Sequence, residues 1–190
     1  MAASHVTLAE LNAADRAAFQ AAVAPLFEGA PDWVGRAWEA RPFADLDSLH
    51  DALTATMLAA SPEEQVALIQ AHPDLVGKAA LAGTLTPSSS AEQAAAGLDR
   101  LTAAEIAQFT AYNAAYRAQF GFPFVICARE NRKESILAAF PARLGNPRPA
   151  EIATALREIA KIVWLRLPDR VGPLIHACRL GQDQRRLFSL

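Results

Sequence analysis

Residues 102–127 are TAAEIAQFTAYNAAYRAQFGFPFVIC, and they carry the clearest signals of secondary structure in the chain. Apolar side chains recur at helical spacing from Ile106 to Tyr116, which predicts an amphipathic helix in the first part of the stretch. Gly121 is the residue type that commonly ends helices, because glycine adopts a left-handed backbone without strain. The apolar residues after it are too few for a helix and include a proline. We therefore predict a short, buried extended segment over about 122–128.

The composition of the whole chain favours an all-α fold. Alanine, the strongest helix former, occurs 43 times in 190 residues, whereas glycine occurs 9 times. We find no period-two series of apolar residues and therefore expect no parallel sheet and no dinucleotide-binding fold. A chain of this length buries roughly 70% of its unfolded surface on folding, which is enough for one core. We predict a single-domain helical bundle over 1–167, followed by a tail over 168–190 that the sequence does not define.

Capping residues and breaks in periodicity predict several helix boundaries. Asn12 is expected to cap a helix that runs toward Phe27. An apolar helix is expected to stop at His72, because the next residue is proline. Residues 77–88 have no sustained period and are expected to form a loop, with a short helix beginning at Ser89.

Charge and hydropathy exclude several classes of partner. The formal net charge is −2 and the isoelectric point about 6.1, so the chain offers no broad positive field for nucleic acid. No apolar run approaches 18 residues, and the N-terminus lacks the pattern of a secretory signal, so we expect a soluble, cytoplasmic protein without a membrane partner.

The usual catalytic motifs are missing from the sequence. The four histidines have no metal-ligand spacing, the two cysteines form no CxxC pair, and neither a GxSxG motif nor a phosphate-binding glycine loop occurs. We therefore expect no metal site and no nucleotide site. Three polar groups remain as candidates for chemistry.

The first candidate is His72, within Ala-His-Pro-Asp. It closes an apolar helix, where the negative end of the helix dipole favours a charged imidazole, and the following proline holds the chain rigid. A pKa near neutrality would allow this group both to donate and to accept a proton. The alternative is a histidine that only hydrogen-bonds the last carbonyls of its helix.

The second candidate is the segment Ser89-Ser90-Ala91-Glu92-Gln93. Serine followed three residues later by glutamate is the capping-box pattern, which also occurs at Thr102 and Glu105 and has a purely structural explanation. The functional alternative is that Glu92 and Gln93 place an acid and an amide at a helix N-terminus, where free backbone amides favour an anion.

The third candidate is Arg166, on a predicted helix over 149–167. It continues the apolar stripe of that helix, which consists of Ile152, Leu156, Ile159 and Val163. A guanidinium on a core-facing side must be paired, because an unpaired buried charge is very costly. The partner is either a structural protein carboxylate or the substrate and its catalytic cluster, and we expect the second.

Taken together, four motifs occur in one order: His72-Pro73-Asp74-Leu75, Ser89-x-x-Glu92-Gln93, the FGFPFVIC run of 120–127, and Leu165-Arg166-Leu167. This combination resembles the 2-oxo-4-hydroxy-4-carboxy-5-ureidoimidazoline (OHCU) decarboxylases of uric-acid degradation. The spacing of twenty between the histidine and the glutamate also fits that family. The resemblance covers about residues 7–167, and its most specific parts are FGFPF and His-Pro-Asp-Leu.

The resemblance implies an all-helical carboxy-lyase that needs no cofactor, is usually a homodimer, and forms (S)-allantoin in purine catabolism. By this resemblance His72 is the catalytic histidine, with Glu92 and Arg166 as its polar companions. The substrate-binding residues that it implies are Pro73, Ser89, Gln93 and the backbone of Phe124, Val125, Ile126, Cys127 and Ala128.

Decarboxylation of such a substrate gives each of three residues an expected role. His72 would be the acid/base, Arg166 would position the substrate or stabilise charge, and Glu92 would orient His72 or bind ureido N–H groups. The competing hypothesis is a small helical ligand-binding or protein-interaction module without turnover, which would have no need of His72.

Overall fold

Helices make up most of the structure, a computed structural model that describes residues 5–77, 80 and 82–172. The all-α prediction is confirmed. In chain order the α-helices are α1 Leu8–Ala13, α2 Arg16–Val23, α3 Leu46–Leu58, α4 Pro62–Gln70, α5 Pro87–Ala95, α6 Ala103–Phe120, α7 Lys133–Leu144 and α8 Arg148–Arg166. Short 3₁₀ segments occur at Ala24–Leu26, Asp32–Ala40, Ala128–Glu130 and Leu167–Asp169.

The first two helices begin at caps other than the predicted one. Thr7 and Glu10 form a reciprocal capping box that begins α1, and the Asp15 side chain caps α2. The prediction that Asn12 caps a helix was wrong. Its amide instead bridges the backbone of Phe43, donating to the carbonyl at 2.8 Å and accepting from the N–H at 2.8 Å. A distant partner with two complementary groups therefore holds this side chain.

Helix α4 delivers the chain to His72. Ser61 and Glu64 form a capping box at its start, and Pro62 occupies the first helical position, where its missing N–H is not needed. The helix ends at Gln70 with Ala71 as its cap, so His72 lies just beyond the last turn. Helix α8 packs against both α3 and α4. These contacts bring the ends of α4 and α8 into the same part of the molecule.

Helix α6 and the chain after it fold as predicted. Thr102 and Glu105 form a capping box at its start, and Gly121 ends it with a left-handed φ of 79°. The next residues belong to no helix or strand and are largely buried as far as Cys127, whose backbone is extended, and a 3₁₀ turn begins at Ala128. The predicted buried extended segment is therefore confirmed.

A small parallel pairing joins the two ends of the described chain. Strand β1, Val6–Thr7, pairs with strand β2, Val171–Gly172, with Val6 opposite Val171. The expectation of no parallel sheet was wrong in this detail, because strands of two residues are too short to show a period of two. Residues 168–172 of the predicted tail are thus tied to the N-terminus, whereas 173–190 lie outside the described residues.

Buried side chains from the helices and the extended segment form one hydrophobic cluster. Its aromatic part is centred on Tyr116, which is fully buried and contacts the rings of Phe120, Phe122, Phe124 and Phe140 at centroid distances of 4.6 to 6.3 Å. These contacts hold the extended segment against α6 and α7. No helix among the described residues is both long and apolar enough to span a membrane.

Candidate active site

A pocket forms where the end of α4, the first turns of α5, the extended segment and the end of α8 meet. Its empty volume is about 390 Å³, part of which is open to solvent. Its lining residues are Glu28, His72, Pro73, Leu75, Ser89, Glu92, Gln93, Phe124, Val125, Ile126, Ala128, Ile162 and Arg166. The structure thus brings together every predicted site residue except Cys127.

Arg166 binds two carboxylates at the wall of this pocket. Its Nε donates to Glu92 at 2.7 Å, and its Nη2 donates to Glu92 at 2.8 Å and to Glu28 at 2.9 Å. Its Nη1 donates to the Leu26 carbonyl at 3.2 Å. Burial opposes the charge, but hydrogen bonds and attraction from Glu92 and Glu28 outweigh it and raise the pKa of the guanidinium. Arg166 is therefore a fixed, charged group.

These contacts answer the question of what Arg166 binds in the free protein. We expected the substrate or the catalytic cluster rather than a structural carboxylate. The structure gives Arg166 two protein carboxylates, of which Glu92 belongs to the predicted cluster and Glu28 does not. Both partners line the pocket, so the pairing is part of the site itself.

Glu28 is the charged residue that the sequence did not indicate. It follows α2 and its 3₁₀ turn, in a segment without a recognisable motif, and no local signal separates it from an ordinary surface glutamate. In the folded chain it is only 9% exposed and accepts a 2.6 Å hydrogen bond from the Ser89 hydroxyl. Burial raises the pKa of this carboxyl, but hydrogen bonds from Ser89 and Arg166 together with the charge of Arg166 leave the pKa below its ordinary value.

Helix α5 presents Ser89, Glu92 and Gln93 on one face, because residues three and four apart share a face of a helix. The expectation that the helix begins at Ser89 was wrong. Thr86 is the cap and accepts from the Ser89 N–H at 3.1 Å, and Pro87 is the first helical residue. Ser89 and Glu92 therefore form no capping box. Their side chains reach Glu28 and Arg166 instead.

His72 lines the pocket, and one of its two ring nitrogens is hydrogen-bonded within its own segment of the chain. Its Nδ1 lies 2.9 Å from the Leu68 carbonyl, which can only accept, so Nδ1 carries the proton. The alternative that this histidine hydrogen-bonds a carbonyl of its own helix is therefore correct for Nδ1, but it does not account for Nε2. In the neutral ring the bond leaves Nε2 with a lone pair for a ligand in the pocket.

Burial decides the charge of His72. The side chain is 7% exposed, and desolvation lowers its pKa to about 4, although the Leu68 carbonyl and the Glu28 charge favour protonation and Arg166 opposes it. The helix dipole was expected to favour a charged imidazole, but in the free protein burial outweighs that effect and keeps the ring neutral. The dipole of a short helix contributes less than the loss of water around the ring.

The amide of Gln93 is oriented by the chain that follows His72. Its Oε1 accepts from the Val76 N–H at 3.1 Å, so its NH₂ group is the end left for a ligand. Asn113 in turn donates to the Leu75 carbonyl at 2.7 Å, and Arg117 donates to Asp74 at 2.8 Å. Helix α6 therefore fixes the loop from which Gln93 takes its orientation.

Side chains of neighbouring helices bind two backbone groups of the extended segment. The Val125 carbonyl accepts from Arg143 at 2.6 Å, and the Cys127 N–H donates to Glu158 at 2.8 Å. Along an extended chain, successive residues direct their peptide groups to opposite sides. Among the described residues the N–H and C=O groups of Phe124 and Ile126 have no hydrogen-bond partner. These backbone groups are therefore available to a ligand.

Cys127 is the predicted site residue that the structure does not bring to the pocket. Its carbonyl accepts from Asn131 at 3.0 Å and its N–H is held by Glu158, so neither backbone group is available. Burial raises the pKa of its thiol to about 11, which keeps the sulfur neutral near pH 7. Through its bonds to Asn131 and Glu158, the backbone of Cys127 anchors the end of the extended segment.

A buried polar cluster holds the extended segment on the side away from the pocket. Arg143 and Tyr116 both donate to Glu151, which is fully buried, and the Arg143 guanidinium lies 4.2 Å from the centre of the Phe124 ring. In the part of the chain that the structure describes, no group of three or more His, Cys, Asp or Glu side chains is arranged to hold a metal ion.

Comparison with known proteins gives one consistent family. The family model described as OHCU decarboxylase matches residues 12–168. A 2-oxo-4-hydroxy-4-carboxy-5-ureidoimidazoline decarboxylase of Halalkalicoccus jeotgali is 37% identical over 171 residues, covering 90% of this chain and 94% of the relative. The protein of the same name from Amia calva is 40% identical over 142 residues, covering 75% of this chain and 81% of the relative.

A solved structure matches at the level of the fold. The crystal structure of an (S)-allantoin synthase superposes with a TM-score of 0.66 and 26% identity, covering 87% of this chain. The match covers 54% of that protein, so the chain spans about half its length.

Proposed function

The chain belongs to the OHCU decarboxylase family, and we propose that it decarboxylates 2-oxo-4-hydroxy-4-carboxy-5-ureidoimidazoline to (S)-allantoin in urate degradation. The observation that carries the proposal is the convergence of His72, Glu92, Arg166 and Gln93 on one pocket, although they are separate in sequence. The activity is that of a carboxy-lyase.

The substrate itself can accept the electrons that decarboxylation releases, so we propose a reaction without a cofactor. When the C4–carboxylate bond breaks, its electron pair forms a C4=C5 bond and the electrons of the adjacent C5=N bond move to nitrogen, which takes a proton. The C4 hydroxyl then loses its proton as the C4 carbonyl forms, and C5 gains one. The net reaction consumes one proton and releases carbon dioxide.

His72 is the proposed acid/base. As a neutral ring with its proton on Nδ1, it accepts the C4 hydroxyl proton at Nε2 and returns a proton to one face of C5. Acid–base catalysis of this kind contributes roughly 10²- to 10⁴-fold to a rate. The bond to the Leu68 carbonyl supports this assignment, because it fixes both the tautomer and the orientation of the ring.

Glu92 and Arg166 are the proposed polar companions of His72. Arg166 contributes a fixed positive charge beside the reacting atoms, and Glu92 holds the guanidinium plane through two hydrogen bonds. Ser89 and Pro73 line the same pocket and are proposed to contact the substrate. A preorganised charge of this kind acts without rearrangement during the reaction.

The ureide part of the substrate requires both donors and acceptors. The Gln93 NH₂ group supplies donors, and the backbone of the extended segment supplies N–H and C=O groups, of which those of Phe124 and Ile126 are free among the described residues. Val125 and Ala128 complete this wall of the pocket. Shape and hydrogen bonds of this kind select a planar ureide over an apolar ligand of the same size.

We further propose that the protein is cytoplasmic, as the sequence features predict, and that it is a homodimer, as the family resemblance implies. The near-neutral charge and the sequence composition are compatible with both properties. Gel filtration with light scattering, together with localisation of the tagged protein, tests them separately.

The experiment that tests the function uses substrate made in place from urate by excess urate oxidase and hydroxyisourate hydrolase. We expect wild-type protein to accelerate the appearance of (S)-allantoin, followed by circular dichroism, and His72→Ala to abolish most of that acceleration. His5→Ala and His50→Ala are the matched controls and should retain it. Equal losses in all three variants, or no acceleration by the wild type, would contradict the assignment.

A further inference from the structure

Glu28 occupies a central place in the pocket that none of the sequence motifs includes. Its Oε1 accepts from the Ser89 hydroxyl at 2.6 Å and from Arg166 Nη2 at 2.9 Å. Both donors come from elements that carry the proposed catalytic and substrate-binding groups. The carboxylate therefore links α5 to the end of α8 at the point where the substrate would bind.

Sharing one arginine between two acids has a direct consequence for charge. Of the five N–H groups of Arg166, four are directed at Glu92, Glu28 and the Leu26 carbonyl. The guanidinium balances the charge of one of the two carboxylates. Because His72 is neutral, the group formed by Arg166, Glu92 and Glu28 has a net charge of one negative unit. This excess would be absent if Glu28 were a neutral residue of the same shape.

The charged groups around His72 can be identified from each neighbouring element. Glu28 lies after α2, Glu92 on α5 and Arg166 on α8, and all three line the pocket with His72. Within its own segment Asp74 follows two residues later, but Arg117 of α6 neutralises it through an ion pair of 2.8 Å. The charges of Arg166 and Glu92 cancel. The remaining negative charge at this site is therefore that of Glu28, and it favours protonation of His72.

We propose that Glu28 is a positioning residue for this reaction: by sharing Arg166 with Glu92 it fixes the guanidinium, and its uncompensated charge sets how readily His72 holds a proton. Glu28 acts through its neighbours and is assigned no contact with the substrate. The inference rests on the proposed function, because proton transfer by His72 is what it tunes.

The decisive variant is Glu28→Gln, which keeps an oxygen for Ser89 and Arg166 but removes the charge. Without that charge the imidazolium is less stable, so the acidic limb of kcat/KM against pH should move to lower pH by about half a unit or more. We also expect kcat to fall about tenfold, because the protonated ring is formed less readily during the cycle. A purely structural glutamate would not move the pH profile when replaced by its isostere.

Two further variants complete the test. Glu39→Gln removes an exposed carboxylate paired with Arg16 at 3.7 Å and should leave the profile unchanged. Glu28→Asp keeps the charge but cannot reach both Ser89 and Arg166, so it should keep the wild-type pH limb with a lower kcat. If Glu28→Gln does not fold, Glu28→Asp tests the positioning role instead. A wild-type kcat in Glu28→Asp would overturn that role.

The outcomes distinguish this inference from the function on which it rests. Wild-type protein that forms no (S)-allantoin would refute the proposed function. An active wild type together with a folded Glu28→Gln variant of unchanged pH profile would refute the role of Glu28 alone.

Discussion

At the scale of single residues, Arg166 shows how one buried charge is accommodated. It is only 6% exposed, yet its guanidinium donates hydrogen bonds only to oxygens, and two of the four groups that supply these oxygens are carboxylates. A buried ion pair gives a fold little net stability over apolar packing, but breaking one partner out of it is strongly destabilising. Removing Arg166 from its pairing with Glu28 and Glu92 should therefore destabilise the fold whether or not substrate is present.

We predict that Arg166→Met lowers the free energy of unfolding by about 3–5 kcal/mol, because it leaves Glu28 and Glu92 buried without a counter-charge. Urea denaturation at pH 7 measures the loss. Arg157→Met is the matched control, since Arg157 is exposed on the same helix and should be near neutral. Equal stability of the two variants would show that the Arg166 cluster is not paired in solution.

At the scale of elements, the beginning of α5 decides where the site residues point. A start at Pro87 instead of Ser89 turns Ser89 and Glu92 from capping groups into members of the pocket wall. Thr86 takes over the capping role, and its hydroxyl also donates to Ser89 at 2.8 Å. A shift of two residues in a helix start therefore changes the function assigned to two side chains.

We predict that Thr86→Ala costs about 1 kcal/mol of stability and that Thr86→Ser restores most of it, because serine supplies the same capping oxygen. Thr102→Ala, at the start of α6, serves as the comparison and should cost a similar amount. Thermal or urea unfolding at pH 7 measures both losses. If Thr102→Ala is destabilising and Thr86→Ala is not, α5 begins elsewhere.

At the scale of the whole molecule, burial of His72 makes the fold sensitive to mild acid. The folded protein disfavours the imidazolium, so its pKa of about 4 lies below the ordinary 6.5. Stability from this residue is fully present above about pH 6.5, where both folded and unfolded chains have a neutral ring. It is lost between 6.5 and 4, where only the unfolded chain takes up the proton.

We predict that between pH 7 and pH 5 wild-type protein loses about 2 kcal/mol more stability than His72→Asn, which cannot titrate. Asparagine keeps a donor near the position of Nδ1 and so preserves the bond to the Leu68 carbonyl. Urea midpoints at the two pH values measure the difference. Parallel losses in the two proteins would mean that His72 is exposed enough to titrate normally.

Local sequence patterns were sufficient to predict the helical class, the helix over 103–120 with its glycine stop, the buried extended segment and the family motifs. These features depend on periodicity, capping and turn chemistry within about twenty residues of chain, where spacing alone dictates which side chains share a face. The same local rules gave the wrong cap at Asn12 and the wrong start for α5. In both cases a nearby residue that can also cap a helix, Asp15 or Thr86, caps it instead.

Contacts between distant parts of the folded chain set the partners of Arg166, the charge of His72 and the place of Glu28 in the pocket. Arg166 and Glu28 are separated by 138 residues, and no local pattern specifies which distant acid will reach a buried base. The proton affinity of His72 depends on how much water the fold removes, which the dipole of its own helix could not reveal. Periodicity shows which side chains face inward, but the energies of buried charges are set by the groups that the fold places beside them.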